Sequence, residues 1–150
     1  MIIHPEAQGT LEWLLARAGV VTASEMDNLL TPEFKERTGE MRKSYMAVKL
    51  AERWLGGPLA GFMSIDMDIG RILEDEALPF FTLQTGQEVQ KVGLITTDDG
   101  KVGASPDGLL GEDGGIEAKC PRAETHVKYL LAGVVPKDYI VQVHTAMFVT

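Results

Sequence analysis

Cysteine is nearly absent from this chain, which has one, Cys120, among its 150 residues. A single thiol excludes an internal disulfide and any zinc or iron–sulfur site that needs several cysteines, and it suits a reducing compartment. Also missing are a basic, apolar leader at the N-terminus and any apolar run near the roughly 18 residues of a membrane span. We therefore expect a soluble cytoplasmic protein without a membrane partner.

Positive charge is scarce too. The net charge is −8, which argues against a generic affinity for nucleic acid but does not exclude a DNA partner. The acid is concentrated in residues 61–150, which carry seven basic and fourteen acidic side chains. A divalent ion bound in that half would offset part of its charge.

The chain has the length and composition of one domain with a real core, over residues 1–150, because 45% of it is hydrophobic and 24% charged. Thr10 is a plausible N-cap, and Pro79 should kink or end its helix. Apolar spacing and turn signals predict helices at 10–18, 22–30, 38–55, 68–84, 124–131 and from 137 onward, and strands at 87–97, 101–105 and 115–120. This order indicates an α/β or α+β fold with a small mixed sheet.

The chemistry-bearing side chains lie in the stretch from Gly103 to Pro121. Asp107 is on its first extended segment, while Glu117 and Lys119 are two apart on its second and therefore face the same way on a strand. Two acids and an ammonium near one point would suit a hard cation and a hydrolytic water. The plainer alternatives are a turn-forming aspartate and a solvated Glu–Lys pair.

In the metal interpretation, Asp107 and Glu117 supply oxygens to one or two Mg²⁺ ions, and the backbone carbonyl of Ala118 adds a ligand. Lys119 would orient or deprotonate the attacking water, or stabilise charge on the phosphate. The natural reaction of such a site is phosphodiester hydrolysis. Cys120, on the opposite strand face, is expected to be buried packing rather than a nucleophile.

Several blocks of this sequence resemble a known family. Pro106-Asp107 followed by Glu117-Ala-Lys119 resembles the PD-(D/E)xK signature of the restriction-endonuclease-like superfamily. The longer blocks resemble the phage lambda exonuclease group, or YqaJ-type viral recombinases. These are Ala104–Gly108; Glu117–Pro121; Trp13, Arg17 and Val21–Ser24; Gly70–Glu74; and Tyr139–Thr150 with Gln142 and Met147.

The resemblance implies a restriction-endonuclease-like core with extra N-terminal helices. It implies a Mg²⁺-dependent (Mn²⁺-compatible) 5′→3′ exonuclease on double-stranded DNA, which releases mononucleotides and leaves a 3′ single-stranded tail. It also implies a phage origin, a ring-shaped homotrimer and an annealing-protein partner in recombination or repair. The family pattern continues beyond Thr150 with further strands and a helix, so we expect a fragment or an edge closed by another chain.

The family's site residues map onto matching positions. As implied by the resemblance, the metal-site residues are Asp107, Glu117, Lys119 and the helix-borne acid Glu74. The pocket for the 5′-phosphate is implied to consist of Arg17, Ser24, Ser105 and Gln142.

Each assignment has a structural alternative. Glu74 is one of three consecutive acids and would suit a solvated face, Arg17 could pair with a nearby acid such as Glu12, Ser24 could be an N-cap, and Trp13 could be core. Gln142 is weak evidence by itself, and the three histidines have no metal-ligand spacing. Two rival functions remain: an endonuclease of restriction or repair type with the same metal chemistry, and a non-catalytic module that binds DNA or an annealing protein.

Overall fold

The computed structural model describes residues 1–59 and 65–150, with side chains for 1–59 and 73–150. A 3-10 helix spans Ala23–Asn28. Among the helices described, none is long and apolar enough to cross a membrane. The other elements, in chain order, are β1 (Ile2–His4), α1 (Leu11–Arg17), β2 (Val21–Thr22), α2 (Glu40–Leu55), α3 (Ile65–Thr85), β3 (Leu94–Thr96), β4 (Val102–Ala104), β5 (Gly108–Leu110), β6 (Gly114–Ile116), α4 (Ala123–Ala132) and α5 (Lys137–Val149).

The chain forms two compact units. Unit 1 contains Met1–Gly61, Val92–Pro106 and Lys137–Thr150; unit 2 contains Phe62–Lys91 and Asp107–Pro136. The prediction of a single domain over residues 1–150 stays a prediction.

Unit 1 is built on a four-stranded sheet in the order β1-β3-β4-β2. β3 pairs antiparallel with both β1 and β4, whereas β2 pairs parallel with β4, so the predicted mixed sheet is confirmed. Asp98-Asp-Gly100 forms the predicted turn between β3 and β4, with Gly100 in the left-handed region at φ 65°. Leu94 and Ile95 at the centre are fully buried, and α5 packs against β4 and the 3-10 helix.

Unit 2 contains α3, α4 and a two-stranded antiparallel sheet of β5 and β6. The predicted hairpin is therefore present, with its turn at residues 111–113. A side chain on Gly108 would collide with Val89, because the segment before β3 runs close against β5. That close approach lets Gln90 and Leu109 exchange backbone hydrogen bonds of 3.0 and 2.9 Å.

Most predicted helices are present, but three helix predictions need correction. Thr10 caps α1 as expected, yet Leu11, Leu14 and Leu15, which fall at core spacing in the sequence, are exposed, while the Trp13 indole donates to Ser105. The segment after β2 is a 3-10 helix and not an α-helix. Of the apolar residues at core spacing in α2, Tyr45 is buried and Ala51 half-buried, whereas four are exposed, namely Met41, Val48, Leu50 and Leu55.

The helix predicted at 68–84 also differs in detail. α3 continues past Pro79 to Thr85, so the proline does not end it. Leu73 and Phe80 fall at core spacing in the sequence, yet both are exposed. The side chains of Ile69 and Ile72, and those of the Gly70–Ile72 block, lie outside the described residues.

The strands are shorter than predicted. β3 covers only part of 87–97, and β6 ends at Ile116, so Glu117 to Cys120 have no regular secondary structure. Without strand alternation Cys120 is exposed, and its predicted burial is wrong. Sequence patterns did not reveal β1 or β2, because strands of three and two residues are too short to show a period.

Candidate functional site

The first candidate site is in unit 2, where Asp107 immediately precedes β5. Its Oδ2 atom accepts a hydrogen bond from the backbone N–H of Ala118, which lies just beyond β6. The hairpin thus brings together two segments eleven residues apart. Ala118 contacts Asp107 through its backbone N–H. That its carbonyl oxygen ligates a metal ion stays a prediction.

Glu117 and Lys119 contact each other although they are not on a strand. The Lys119 Nζ atom donates to Glu117 Oε1 at 2.7 Å. The Lys119 side chain is 33% exposed and the Glu117 side chain 23% exposed. The carboxylate of the pair is therefore partly shielded from solvent, whereas Lys119 lies at the surface.

Glu74, on α3, is the third acid of this site. Its carboxyl group and that of Asp107 each influence the pKa of the other. Glu74 is half-buried, so the alternative of a fully solvated face does not describe it, whereas its neighbours Asp75 and Glu76 are exposed.

The acids repel one another's charge. Burial raises the pKa of Asp107 to about 7, and the Glu117 and Glu74 carboxylates add to that rise against the Ala118 N–H and Lys119, which lower it. Burial also raises the pKa of Glu74, with Asp75 and Glu117 acting in the same direction and Lys91 opposing it. A cation placed among these oxygens would relieve the repulsion.

The donor set is chemically suited to a hard cation, since it consists of carboxylate oxygens. In the part of the chain whose side chains are described, however, no three His, Cys, Asp or Glu side chains converge at metal-ligating spacing. Lys119 engages Glu117, and the Ala118 N–H engages Asp107. Lys119 would have to move off Glu117 to free a full set of ligands.

Lys91 is a charge at this site that sequence reasoning missed. It donates to Asp75 at 2.6 Å, and the hydrogen bond to Asp75 raises its pKa, with further contributions from Glu74 and Asp107. The Gln90–Leu109 backbone pairing places it there. No spacing rule joins a lysine within the predicted strand 87–97 to acids on a helix and a hairpin, so the sequence carried no signal for it.

The raised pKa of Asp107 predicts a pH dependence of stability in metal-free protein. The pKa is about 7 in the folded protein against an ordinary 3.8, so the folded state keeps the proton to higher pH than the unfolded state. The free energy of unfolding should therefore fall as the pH rises from about 4 to about 7. We expect about 1–2 kcal/mol, less than the full shift implies, because solvent screens a half-buried group.

The measurement is the melting temperature in EDTA across that pH range. Asp107→Asn should flatten the profile, while Asp113→Asn, in the exposed turn of the same hairpin, should leave it unchanged. Parallel profiles for the wild type and Asp107→Asn would contradict the assignment.

The second candidate site is in unit 1 and is centred on Arg17, the last residue of α1. Its Nη2 atom donates to the hydroxyls of Thr22 and Ser24, each at 2.9 Å. Its guanidinium lies 4.9 Å from the centre of the Trp13 ring, and the indole N–H of Trp13 donates to the Ser105 hydroxyl at 3.1 Å. Arg17 is thus bonded directly to Ser24 and connected to Ser105 through Trp13. These are three of the four predicted phosphate-pocket residues.

This geometry bears on two of the alternatives. Arg17 does pair with a nearby acid, but that acid is Glu25, at 3.9 Å, rather than Glu12. Ser24 is not an N-cap, because it lies within the 3-10 helix, whose N-cap is Thr22. The fourth predicted residue, Gln142, is half-buried on α5, which packs against that 3-10 helix.

Sequence reasoning undervalued Trp13 and did not find Thr22 as a partner of Arg17. The spacing of Trp13 and Arg17, four residues apart on one helix, was the signal that could have identified their contact. A free guanidinium edge beside hydroxyls is a good receptor for a phosphate.

The family model for the YqaJ-like viral recombinase domain matches residues 12–150. The chain belongs to this family. The family resemblance carried by the sequence blocks is therefore confirmed. No curated protein sequence matches the chain.

Two solved structures are similar to this YqaJ-family chain. One is LHK-Exo in complex with dAMP, at 36% identity and a TM-score of 0.81, covering 93% of this chain and 68% of that one. The other is the alkaline exonuclease LHK-Exo from Laribacter hongkongensis, at 37% identity and 0.80, covering 94% and 69%. These similarities confirm the predicted α+β, restriction-endonuclease-like fold and support a nuclease function.

Proposed function

We propose that this YqaJ-family chain is a Mg²⁺-dependent 5′→3′ exonuclease acting on double-stranded DNA. The observation that carries the proposal is the group of acids Asp107, Glu74 and Glu117 beside Lys119. A bound cation would relieve the repulsion between their carboxylates. Family membership and the similarity to an alkaline exonuclease support the same activity. The products would be mononucleotides and a 3′ single-stranded tail.

In this proposal Asp107 and Glu117 hold one or two Mg²⁺ ions, with Mn²⁺ as a substitute, together with the carbonyl of Ala118. A bound ion would supply a hydroxide-like nucleophile and polarise the phosphoryl oxygen. Glu74 would help to hold the ion through its waters. Lys119, once released from Glu117, orients or deprotonates the attacking water and stabilises the charge that develops on the phosphate.

The polarity would come from the Arg17 pocket in unit 1. The guanidinium would bind the terminal 5′-phosphate, with Ser24, Ser105 and Gln142 completing its hydrogen bonds. That one similar structure was solved with dAMP, a nucleoside monophosphate, is compatible with such a phosphate site in this family.

The proposal includes partners and a compartment. We propose a homotrimer that encloses DNA and works in the cytoplasm with a single-strand annealing protein, as the family resemblance implies. Large apolar side chains are exposed in both units, such as Trp54, Leu131 and Phe148, and partner surfaces would cover side chains of this kind.

The experiment that tests the function compares linear with covalently closed circular duplex DNA, each with Mg²⁺ and with EDTA. An end-dependent exonuclease should digest only the linear form, and only with metal. Nicking or cutting of the closed circle would indicate the rival endonuclease. Intact DNA under all conditions, with no heat of Mg²⁺ or Mn²⁺ binding by calorimetry, would favour the non-catalytic binding module.

A further inference from the structure

Lys49 is a buried charge that the proposed mechanism does not use. It lies on α2 with 7% of its surface exposed, and its Nζ atom is 3.1 Å from both Glu25 Oε2 and Glu52 Oε2. A lysine this deeply buried is held there by its charge partners, because an unpaired ammonium would be costly to bury. Each of the two carboxylates connects Lys49 to the surroundings of Arg17.

Glu25 connects Lys49 to the phosphate pocket. Its Oε2 atom accepts from the Thr22 hydroxyl at 2.9 Å and lies 3.9 Å from Arg17 Nη2. Glu25 is thus the carboxylate that competes with any incoming phosphate for Arg17. Because Lys49 approaches Glu25 more closely than Arg17 does, the ammonium takes up most of that negative charge.

Glu52 connects Lys49 to the backbone that carries Arg17. Its Oε2 atom accepts from the Gly19 N–H at 2.9 Å, and Arg53 donates to the Gly19 carbonyl, also at 2.9 Å. Gly19 has φ 71°, and a side chain there would collide with Arg53. Two consecutive residues of α2 therefore hold the backbone at Gly19, which follows α1 and lies two residues after Arg17.

The four charged groups of this network are balanced, with two cations (Arg17, Lys49) and two carboxylates (Glu25, Glu52). Removing Lys49 would leave the network with an excess negative charge next to the pocket. Arg17 would then neutralise Glu25, and a dianionic phosphate would meet a repulsive site.

We propose that Lys49 is a positioning residue that neutralises Glu25 and so keeps the Arg17 guanidinium available to the terminal 5′-phosphate of the DNA. This rests on the proposed phosphate pocket. The chemical class of ligand is a phosphate monoester at a DNA end, and Lys49 acts on it only through Glu25 and Arg17.

The test measures kcat and KM on linear duplexes with a 5′-phosphate or a 5′-hydroxyl, and the affinity for both in EDTA by fluorescence anisotropy. Lys49→Met should reduce the phosphate-to-hydroxyl ratio of kcat/KM by about tenfold, mainly through KM, which is the scale of one charge-assisted hydrogen bond. Lys49→Arg should keep the preference. Lys43→Met is the matched control, since Lys43 makes an exposed i,i+3 pair with Glu40 on the same helix.

A compensating variant separates charge balance from simple structural damage. Glu25→Gln should keep or increase the phosphate preference, and Lys49→Met/Glu25→Gln should regain it. A folded Lys49→Met protein with the wild-type ratio would overturn the inference, as would a Glu25→Gln ratio as low as that of Arg17→Ala. If Lys49→Met does not fold, the Glu25→Gln result decides. A wild type that shows no preference for phosphate would instead refute the pocket in the proposed function.

Discussion

Replacing Asp107 with alanine should abolish DNA digestion while leaving DNA binding largely intact. Asp107 joins the two sides of the hairpin through its hydrogen bond with the Ala118 N–H, and its pKa is coupled to Glu74 on α3. If its carboxylate holds the catalytic ion, its loss removes several kcal/mol of transition-state stabilisation, or about 1,000-fold in rate. Binding should persist, because removing one negative charge does not weaken contacts with phosphates.

The measurement is release of acid-soluble nucleotides from linear duplex with Mg²⁺, alongside a binding assay on the same DNA. Asp113→Ala is the matched control, because it removes an exposed aspartate from the turn of the same hairpin. Calorimetric titration with Mg²⁺ should show weakened binding in Asp107→Ala only. Full digestion by Asp107→Ala with Mg²⁺ present would refute the proposed active site.

Replacing Arg17 with alanine should remove the preference for a 5′-phosphate more than it lowers cleavage as such. Arg17 has two hydroxyl partners and a stacked indole, so its guanidinium is held in place before any ligand arrives. A hydrogen bond to a charged group contributes about 1.5–3 kcal/mol, so the phosphate-to-hydroxyl rate ratio should fall by about 10- to 100-fold.

The matched control for this prediction is Arg42→Ala. Arg42 is another unit 1 arginine, but it is 43% exposed and pairs with Glu36 at 3.4 Å. It should keep the wild-type ratio. Equal rates on phosphorylated and hydroxyl ends in the wild type would contradict the pocket, whatever the variants do.

The helices and the family were predictable from the sequence to different degrees. Helices α2, α4 and α5 were predicted nearly to their ends, because apolar spacing and glycines after α2 and α4 mark them locally. The family followed from blocks such as Ala104–Gly108 and Glu117–Pro121. Which apolar residues are buried was not predictable for α1 and α2, since Leu15 and Leu50 have core spacing yet are exposed.

The residues of the two candidate sites were also predictable from the sequence to different degrees. Asp107, Glu117 and Lys119 could be grouped from their spacing, although the reason given, a shared strand face, was wrong: β6 ends at Ile116. Lys91 could not be found, because its partner Asp75 is distant in sequence. Lys49 could not be found either, because Glu25 is distant in sequence and the i,i+3 spacing from Glu52 does not reveal that the lysine is buried.

The fold class, the family and the acidic and basic groups present could be inferred from the sequence alone, because these depend on local periodicity and on short motifs. The state of those groups depends on the tertiary structure. Burial and the neighbouring carboxylates raise the pKa of Asp107, Lys119 engages Glu117, and Lys49 neutralises Glu25 beside Arg17. The physical reason is that pKa values and ion pairing depend on burial and on distances of a few ångströms between chain segments, which no spacing along the sequence specifies.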